Sequence, residues 1–303
     1  MVDVSIILVN YNTYELVLSC ISSIKEKTSS ELKYEIIIVD NMSPDRNIEN
    51  VTNLFSDVLF VQSSSNRGFG SGNNLGVLYA KGSYVLFLNT DTLLINDAVS
   101  ILYSYMKNNE KVGVCGANLY SKEGEYATSF SQIPPSLLAD FDYLFFNIFS
   151  KLLYRNCVNY NVTNSPIRVR GTISGACYMV SRNVFNKIGG FDEDFFMYYE
   201  ETELSHRIMR SGLKLINHPE AKVIHLEGGS EQVKSRALDW TLESKLKFFN
   251  KTGRFWQYHI SNLVNYVVFL QRFFLFKLIN NREKIAYWKS MMKWANSKFF
   301  KNK

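Results

Sequence analysis

The sequence predicts an α/β fold with a mostly parallel central sheet flanked by helices, followed by a C-terminal helical extension. Three observations carry that expectation. Short, β-branched, nearly continuous apolar runs alternate with segments of helical period through residues 1–90. Asn or Asp follows each of the first four runs, and no Pro occurs beyond Pro219, where the chain turns aromatic and basic. The 303 residues are 46% hydrophobic with 16 Gly and 5 Pro, which excludes a disordered or collagen-like chain and allows one or two packed domains.

Val4-Ser5-Ile6-Ile7-Leu8-Val9 reads as a strand buried on both faces. After the polar Asn10-Tyr11-Asn12, the residues Leu16, Cys20, Ile21 and Ile24 recur at helical spacing, so a helix is expected over 14–27. Tyr34-Glu35-Ile36-Ile37-Ile38-Val39 is a second buried strand, which closes a βαβ unit. A third strand is expected near 58–62 and a fourth at Tyr84–Leu88, separated by the glycine-rich 66–76 stretch and a short helix. Further along, Leu204, Ile208 and Leu213 with Arg207 and Arg210 read as a helix ended by Ser211-Gly212.

Ligands of open α/β sheets sit beyond the carboxyl ends of the strands, so the polar residues after each run come under inspection. They are Asn10-Tyr11-Asn12, Asp40-Asn41, Asn66-Arg67-Gly68 and Asn89-Thr90-Asp91. Each is also composed of turn formers, and recurrence at four strand ends is what favours a ligand site. A dinucleotide fingerprint is absent, because Gly68-Phe69-Gly70-Ser71-Gly72 has the wrong spacing for G-x-G-x-x-G, and a Rossmann oxidoreductase is disfavoured.

These stretches, in order and spacing, resemble glycosyltransferase family 2, especially its rhamnosyltransferase-like members. The resemblance runs from Ser5–Asn12 through Val39–Asp45, Asn66–Gly70 with Asn73-Asn74, Leu88–Thr92, Gly175–Val180, Gly189–Asp192 and Tyr199–Leu204 to His225, about three quarters of the chain. It implies a GT-A fold and metal-assisted, inverting transfer of a sugar from a nucleoside diphosphate, dTDP or UDP, to an acceptor hydroxyl. By the same resemblance Asp40 receives the N3–H of uracil or thymine, in a pocket begun by Val9, Asn10 and Tyr11. Asn41, Arg67, Gly68, Asn73 and Asn89 lie on the nucleotide side. An Asp opening the Ser-Pro-Asp turn is the other reading of Asp40.

Asn89-Thr90-Asp91 stands where the family has its D-x-D-like motif, with Asn for the first Asp. Asp91 is the expected ligand of Mg²⁺ or Mn²⁺, and His225 of His225-Leu226-Glu227-Gly228-Gly229-Ser230 a further one. A lone His is otherwise more often structural. The general base is expected at Glu201 of Tyr199-Glu200-Glu201-Thr202-Glu203-Leu204, where the family usually has Asp; Glu200 and Arg207 are acceptor-side candidates. Three acids in four residues also suit the N-terminus of an exposed helix, although the preceding Phe195–Tyr199 is wholly apolar and aromatic.

The net charge of +6 is uneven. Residues 251–303 hold 11 Lys and Arg against the single acid Glu283, and residues 1–250 are net acidic. We therefore divide the chain into a catalytic domain, 1–235, and a basic aromatic helical tail, 236–303. The tail is expected to make a peripheral contact with anionic lipid, with packing on the catalytic domain or a homo-oligomer contact as the other readings. Nucleic acid is not expected as a partner. Cys20, Cys115, Cys157 and Cys177 form no C-x-x-C pair, and no basic and apolar leader opens the sequence. A cytoplasmic protein at the inner face of the cell membrane, acting on a lipid-linked or cell-surface glycan, is the resulting expectation. A catalytically silent nucleotide-sugar-binding scaffold is the alternative, kept open by Asn89 and Glu201. A processive polysaccharide synthase is disfavoured by the absence of a Q-x-x-R-W motif and of a long apolar span.

Overall fold

A computed structural model describes residues 1–155, 157–226 and 231–299. In chain order the elements begin with β1 (Val4–Asn10), α1 (Tyr14–Lys27), β2 (Tyr34–Asp40), α2 (Val51–Leu54), β3 (Val58–Gln62), α3 (Phe69–Tyr79) and β4 (Tyr84–Leu88). Next come β5 (Thr92–Leu94), α4 (Ala98–Lys107), β6 (Val112–Tyr120), β7 (Phe130–Ser131), α5 (Leu137–Leu144) and α6 (Ile148–Tyr154). β8 (Ile167–Val169), β9 (Thr172–Ile173), β10 (Cys177–Ser181), α7 (Arg182–Ile188), α8 (Glu200–Arg210) and β11 (Lys214–His225) complete the body. Three helices end the chain: α9 (Glu231–Lys251), α10 (Phe255–Leu278) and α11 (Arg282–Phe299).

The main sheet runs β3-β2-β1-β4-β10-β6-β11-β5, with β8 pairing on β11. Its first four strands are parallel, as the sequence predicts, but the second half is mixed. β10 lies antiparallel between β4 and β6. It enters the sheet from the carboxyl edge, where Cys177 pairs with Leu88, so it has to run back against β4. Alternation along the strands feeds two cores: Ile6, Leu8, Ile36 and Ile38 pack with Cys20, Ile21 and Ile24 of α1 on one face. On the other, Ile7, Ile37 and Phe87 pack with Phe185, Phe191, Leu204 and Ile208 of α7, α8 and the turn between them. Helices on both faces explain why these strands read as continuous apolar runs.

The C-terminal segment packs on the body. Phe248 and Phe249 of α9 are buried together with Phe195 and Tyr258. Lys251 pairs with Asp192 at 2.8 Å and Asp194 at 2.6 Å, and Ser244 Oγ donates to the Met197 carbonyl at 2.8 Å. The 235/236 division read from the sequence thus falls inside one helix, and that helix is seated on the body. α10 lies against α5, and α11 returns along α10. Burying an aromatic ring of this kind makes Phe248→Ala costly: unfolding in urea should show a loss of about 3–5 kcal/mol.

Candidate active site

The carboxyl ends of β1, β2 and β3 put Asn10, Asp40 and Gln62 side by side, in register across the parallel strands. Asp40 is 2% exposed, and its carboxylate accepts from Asn10 Nδ2 (2.8 Å), Ser43 Oγ (2.6 Å), Ser43 N (2.9 Å) and Gln62 Nε2 (3.0 Å). Those donors fill the acceptor capacity of an ionised carboxylate. Beside it opens a pocket of about 260 Å³ lined by Asp40, Met42, Ser43, Ile48, Gln62 and Ser63. The turn-opening role of Asp40 and its place at a ligand-sized pocket therefore coexist. Ser43 and Gln62 escaped the sequence reading; the only local signal was the Asp-x-x-Ser spacing of an Asx-type turn.

A chain of hydrogen bonds leads from Asp40 to the Asn-Thr-Asp motif. Asn10 Oδ1 accepts from Thr13 Oγ1 at 2.8 Å, and that hydroxyl lies 3.0 Å from Thr90 Oγ1. Asp91, next in sequence, faces His225 from the neighbouring strand, with Oδ1 3.4 Å from Nε2. β5 pairs Thr92 with His225, and the Leu226 N–H donates to the Asp91 carbonyl at 2.9 Å, so the backbone fixes this approach. Both side chains are mostly buried. One carboxylate and one imidazole make a partial octahedral set for a hard divalent cation, which would take its other ligands from diphosphate oxygens and water. Among the described residues no group of three or more His, Cys, Asp and Glu gathers to hold a metal. Residues 227–230 of the His225 motif lie outside the described residues.

The acidic helix comes near the Asn89 end of β4 through the Gly175–Ala176 turn. The Asn89 N–H donates to the Ala176 carbonyl at 3.1 Å, and a Cβ on the neighbouring Gly175 would stand 3.7 Å from Glu201 Cγ. Glu201 is half-buried, and burial pushes its carboxyl above the usual range. Glu200 is buried beneath α3, with Oε2 lacking any hydrogen-bond partner. Burial first and the neighbouring Glu201 charge second raise its carboxyl well above the ordinary value. The aromatic run before this helix holds Tyr198 and Tyr199 in left-handed backbone, φ 66° and 68°. Gly68, at φ 93°, abuts that run: a Cβ there would lie 1.9 Å from the Phe196 carbonyl oxygen, which accepts the Phe69 N–H.

Other candidates have structural partners. Asn41 Nδ2 donates to Asn66 Oδ1 and to the Gly68 carbonyl, both at 3.0 Å, and so shapes the Asn66–Gly68 turn. Arg67 pairs with Glu193 at 2.9 Å at the surface. Asn73 is buried in α3 and donates to the Phe69 carbonyl, while Asn74 clamps Phe191 through both its N–H and its carbonyl. Arg207 holds Glu203 through two contacts and donates to the Ile188 and Gly190 carbonyls, which ties α8 to α7. Val9 and Tyr11 are half-buried beside Asn10 at the strand end.

The family model described as "Glycosyl transferase family 2" matches residues 5–189. The chain belongs to glycosyltransferase family 2. Among its family 2 relatives, the low-salt glycan biosynthesis hexosyltransferase Agl10 of Haloferax volcanii is 27% identical over 217 residues, 70% of this chain and 64% of that protein. The N-acetylglucosaminyl-diphospho-decaprenol L-rhamnosyltransferase of Mycobacterium tuberculosis is 22% identical over 208 residues, 65% of this chain and 68% of that one. The chain thus spans about two thirds of the length of these relatives. A mannosyltransferase from Pyrobaculum calidifontis, solved with GDP-Man and Mn²⁺, superposes with TM-score 0.61 at 16% identity over 96% of this chain and 80% of that one. That likeness is one of fold, and the fold is GT-A.

The orphaned Glu200 carboxyl gives a stability test. Its folded-state ionisation is raised, so ionising it in the unfolded chain favours unfolding as pH climbs above the ordinary glutamate value, and this penalty vanishes below it. Glu200→Gln should raise the melting temperature at neutral pH by ~2–4 °C per kcal/mol recovered, and leave it unchanged at pH 4. Thermal melting across that pH series reads the difference.

Proposed function

We propose that the protein transfers a sugar, rhamnose in the favoured case, from a dTDP- or UDP-linked donor to a hydroxyl of a glycan acceptor, with inversion at the anomeric carbon. The observation that supports this reading is the path of contacts from Asp40 through Asn10, Thr13 and Thr90 to the motif that holds Asp91 and faces His225, with Asn89 bonded to Ala176 and the adjacent Gly175 near Glu201. Rhamnose is supported by the name of the mycobacterial relative, and a lipid-diphosphate-linked acceptor by the same name.

The base of the nucleotide enters the pocket beside Asp40. Because that carboxylate is already saturated, one donor has to give way, and exposed Gln62 is suited to do so: its amide also reaches the Asp40 and Ser63 carbonyls at 3.2 Å each. Asp91 and His225 are the residues that would hold Mn²⁺ or Mg²⁺, and the imidazole tilts the choice toward Mn²⁺. A cation there, when bound, supplies charge neutralisation for the departing diphosphate. Glu201 takes the proton of the acceptor hydroxyl; the freed oxygen lone pair forms the bond to the anomeric carbon as the bond to the diphosphate breaks, and that electron pair leaves with the diphosphate. The raised ionisation of Glu201 suits a base working near neutral pH, and its partial exposure, in contrast to Glu200, leaves it open to an incoming hydroxyl.

Glu201→Gln should lower turnover by about 10²–10⁴-fold while nucleotide binding stays close to that of the unaltered protein. In the unaltered protein turnover should fall as pH drops through the Glu201 ionisation, at a pH above that of an ordinary glutamate, since the protonated carboxyl cannot accept the acceptor's proton. Normal turnover in Glu201→Gln would remove the assignment. For the donor half, calorimetric titration with dTDP and UDP in the presence and absence of Mn²⁺ should show metal-dependent binding that Asp91→Ala abolishes. Tight nucleotide binding with no turnover on any donor would return the chain to the silent-scaffold reading.

A further inference from the structure

The inward face of α10 mixes apolar Val264, Val268 and Phe269 with polar Ser261, Asn262 and Arg272, all of them buried. Ser261 and Asn265 donate to the Asp140 carboxylate of α5, and Arg272 donates to the Tyr143 carbonyl at 3.0 Å with its guanidinium 3.5 Å from the Phe146 ring centroid. The outward face is apolar. Trp256, Ile260, Leu263, Val267, Phe274 and Leu278 are exposed, from 40% at Ile260 to 85% at Leu278. At 3.6 residues per turn these six fall within an arc of roughly 60° along roughly 33 Å of helix. Single exposed apolar side chains are ordinary, but a row of six along one solvent-facing arc of a helix is not. α6, which contacts α5, also exposes Phe149, Leu152 and Leu153, each by more than half.

We propose that this face of α10 lies in the surface of an anionic lipid bilayer. No helix among the described residues is long and apolar enough to cross a membrane, so the contact is in the plane of the interface. Charge selects the occupant. Lys277 at the end of α10 and Arg282, Lys284, Lys289 and Lys293 of α11 are exposed, and residues 251–303 contain only one acid. A second copy would bring a surface of the same sign against this one, whereas anionic headgroups attract it. The surface differs from a simple basic aromatic tail, because Phe269 and Trp288 pack against each other between α10 and α11 and are not available to lipid. The proposal deepens the lipid-linked half of the acceptor assignment, and its test does not use that reaction.

The full chain is floated with phosphatidylglycerol-containing vesicles and with neutral phosphatidylcholine vesicles, and compared with Leu263→Glu/Phe274→Glu. Leu78→Glu, at a still more exposed apolar residue on α3, serves as control. The unaltered chain and the control should bind anionic vesicles, less so neutral ones or at high salt, and the stripe variant should lose at least tenfold in partitioning. Nucleotide titration of every variant reports that the donor half is folded, and keeps a failure here distinct from a failure of the proposed reaction. Vesicle binding undiminished in the stripe variant would overturn the proposal. So would an unaltered chain that ignores vesicles but sediments as a dimer that the stripe variant dissolves.

Discussion

The site depends on holding Tyr198 and Tyr199 in left-handed backbone immediately before the acidic helix. Neither is glycine, so each costs on the order of 1 kcal/mol or more, and such a conformation persists only where its surroundings over-determine it. The surroundings are identifiable. Phe195 is buried against Phe248 and Phe249, the Met197 carbonyl takes Ser244, Tyr199 packs on Phe248, and the Phe196 carbonyl takes the Phe69 N–H at the one place where Gly68 leaves room for it. Body and C-terminal helix thus meet at the turn that aims Glu200 and Glu201, and the division between them is one of composition more than of structure.

Electrostatics at that helix run against a simple expectation. Acids at a helix N-terminus are ordinarily stabilised by the dipole, by about 0.3–1 kcal/mol when exposed. Here burial outweighs it: removing a carboxylate from water without a full set of partners costs several kcal/mol, so both carboxyls move up rather than down. Glu203, in the same turn, is paired with the Arg207 guanidinium. The three acids of one motif are therefore one buried group without a partner on Oε2, one open group and one ion pair.

What the sequence disclosed was whatever is local. The strands β1 to β4 and helix α1 stand where their apolar periodicity placed them, and the polar residues after each strand do gather at one edge of the sheet. Long-range partners were not legible. The side chains of Arg207 and Asn74 bond to the backbone at residues 188–191, which no local pattern specifies. The partners of Phe195 and Met197 lie in α9, some fifty residues on, and aromatic composition alone could not separate a helix seated on the body from one lying on lipid. In α10 helical character was evident, but which face turned inward was decided by Asp140 and Tyr143 in α5.

The reliance of residues 195–199 on α9 also orders events during synthesis. At about 5–20 residues per second, the ribosome delivers the bracing helix several seconds after the acidic one. For that interval the parallel half of the sheet can be complete, with Asn10, Asp40 and Gln62 already in register, while the turn ahead of Glu200 has nothing to lean on. The nascent chain therefore passes through a stage that has the Asp40 pocket and an unbraced acidic turn, and it gains the brace only when its last third emerges.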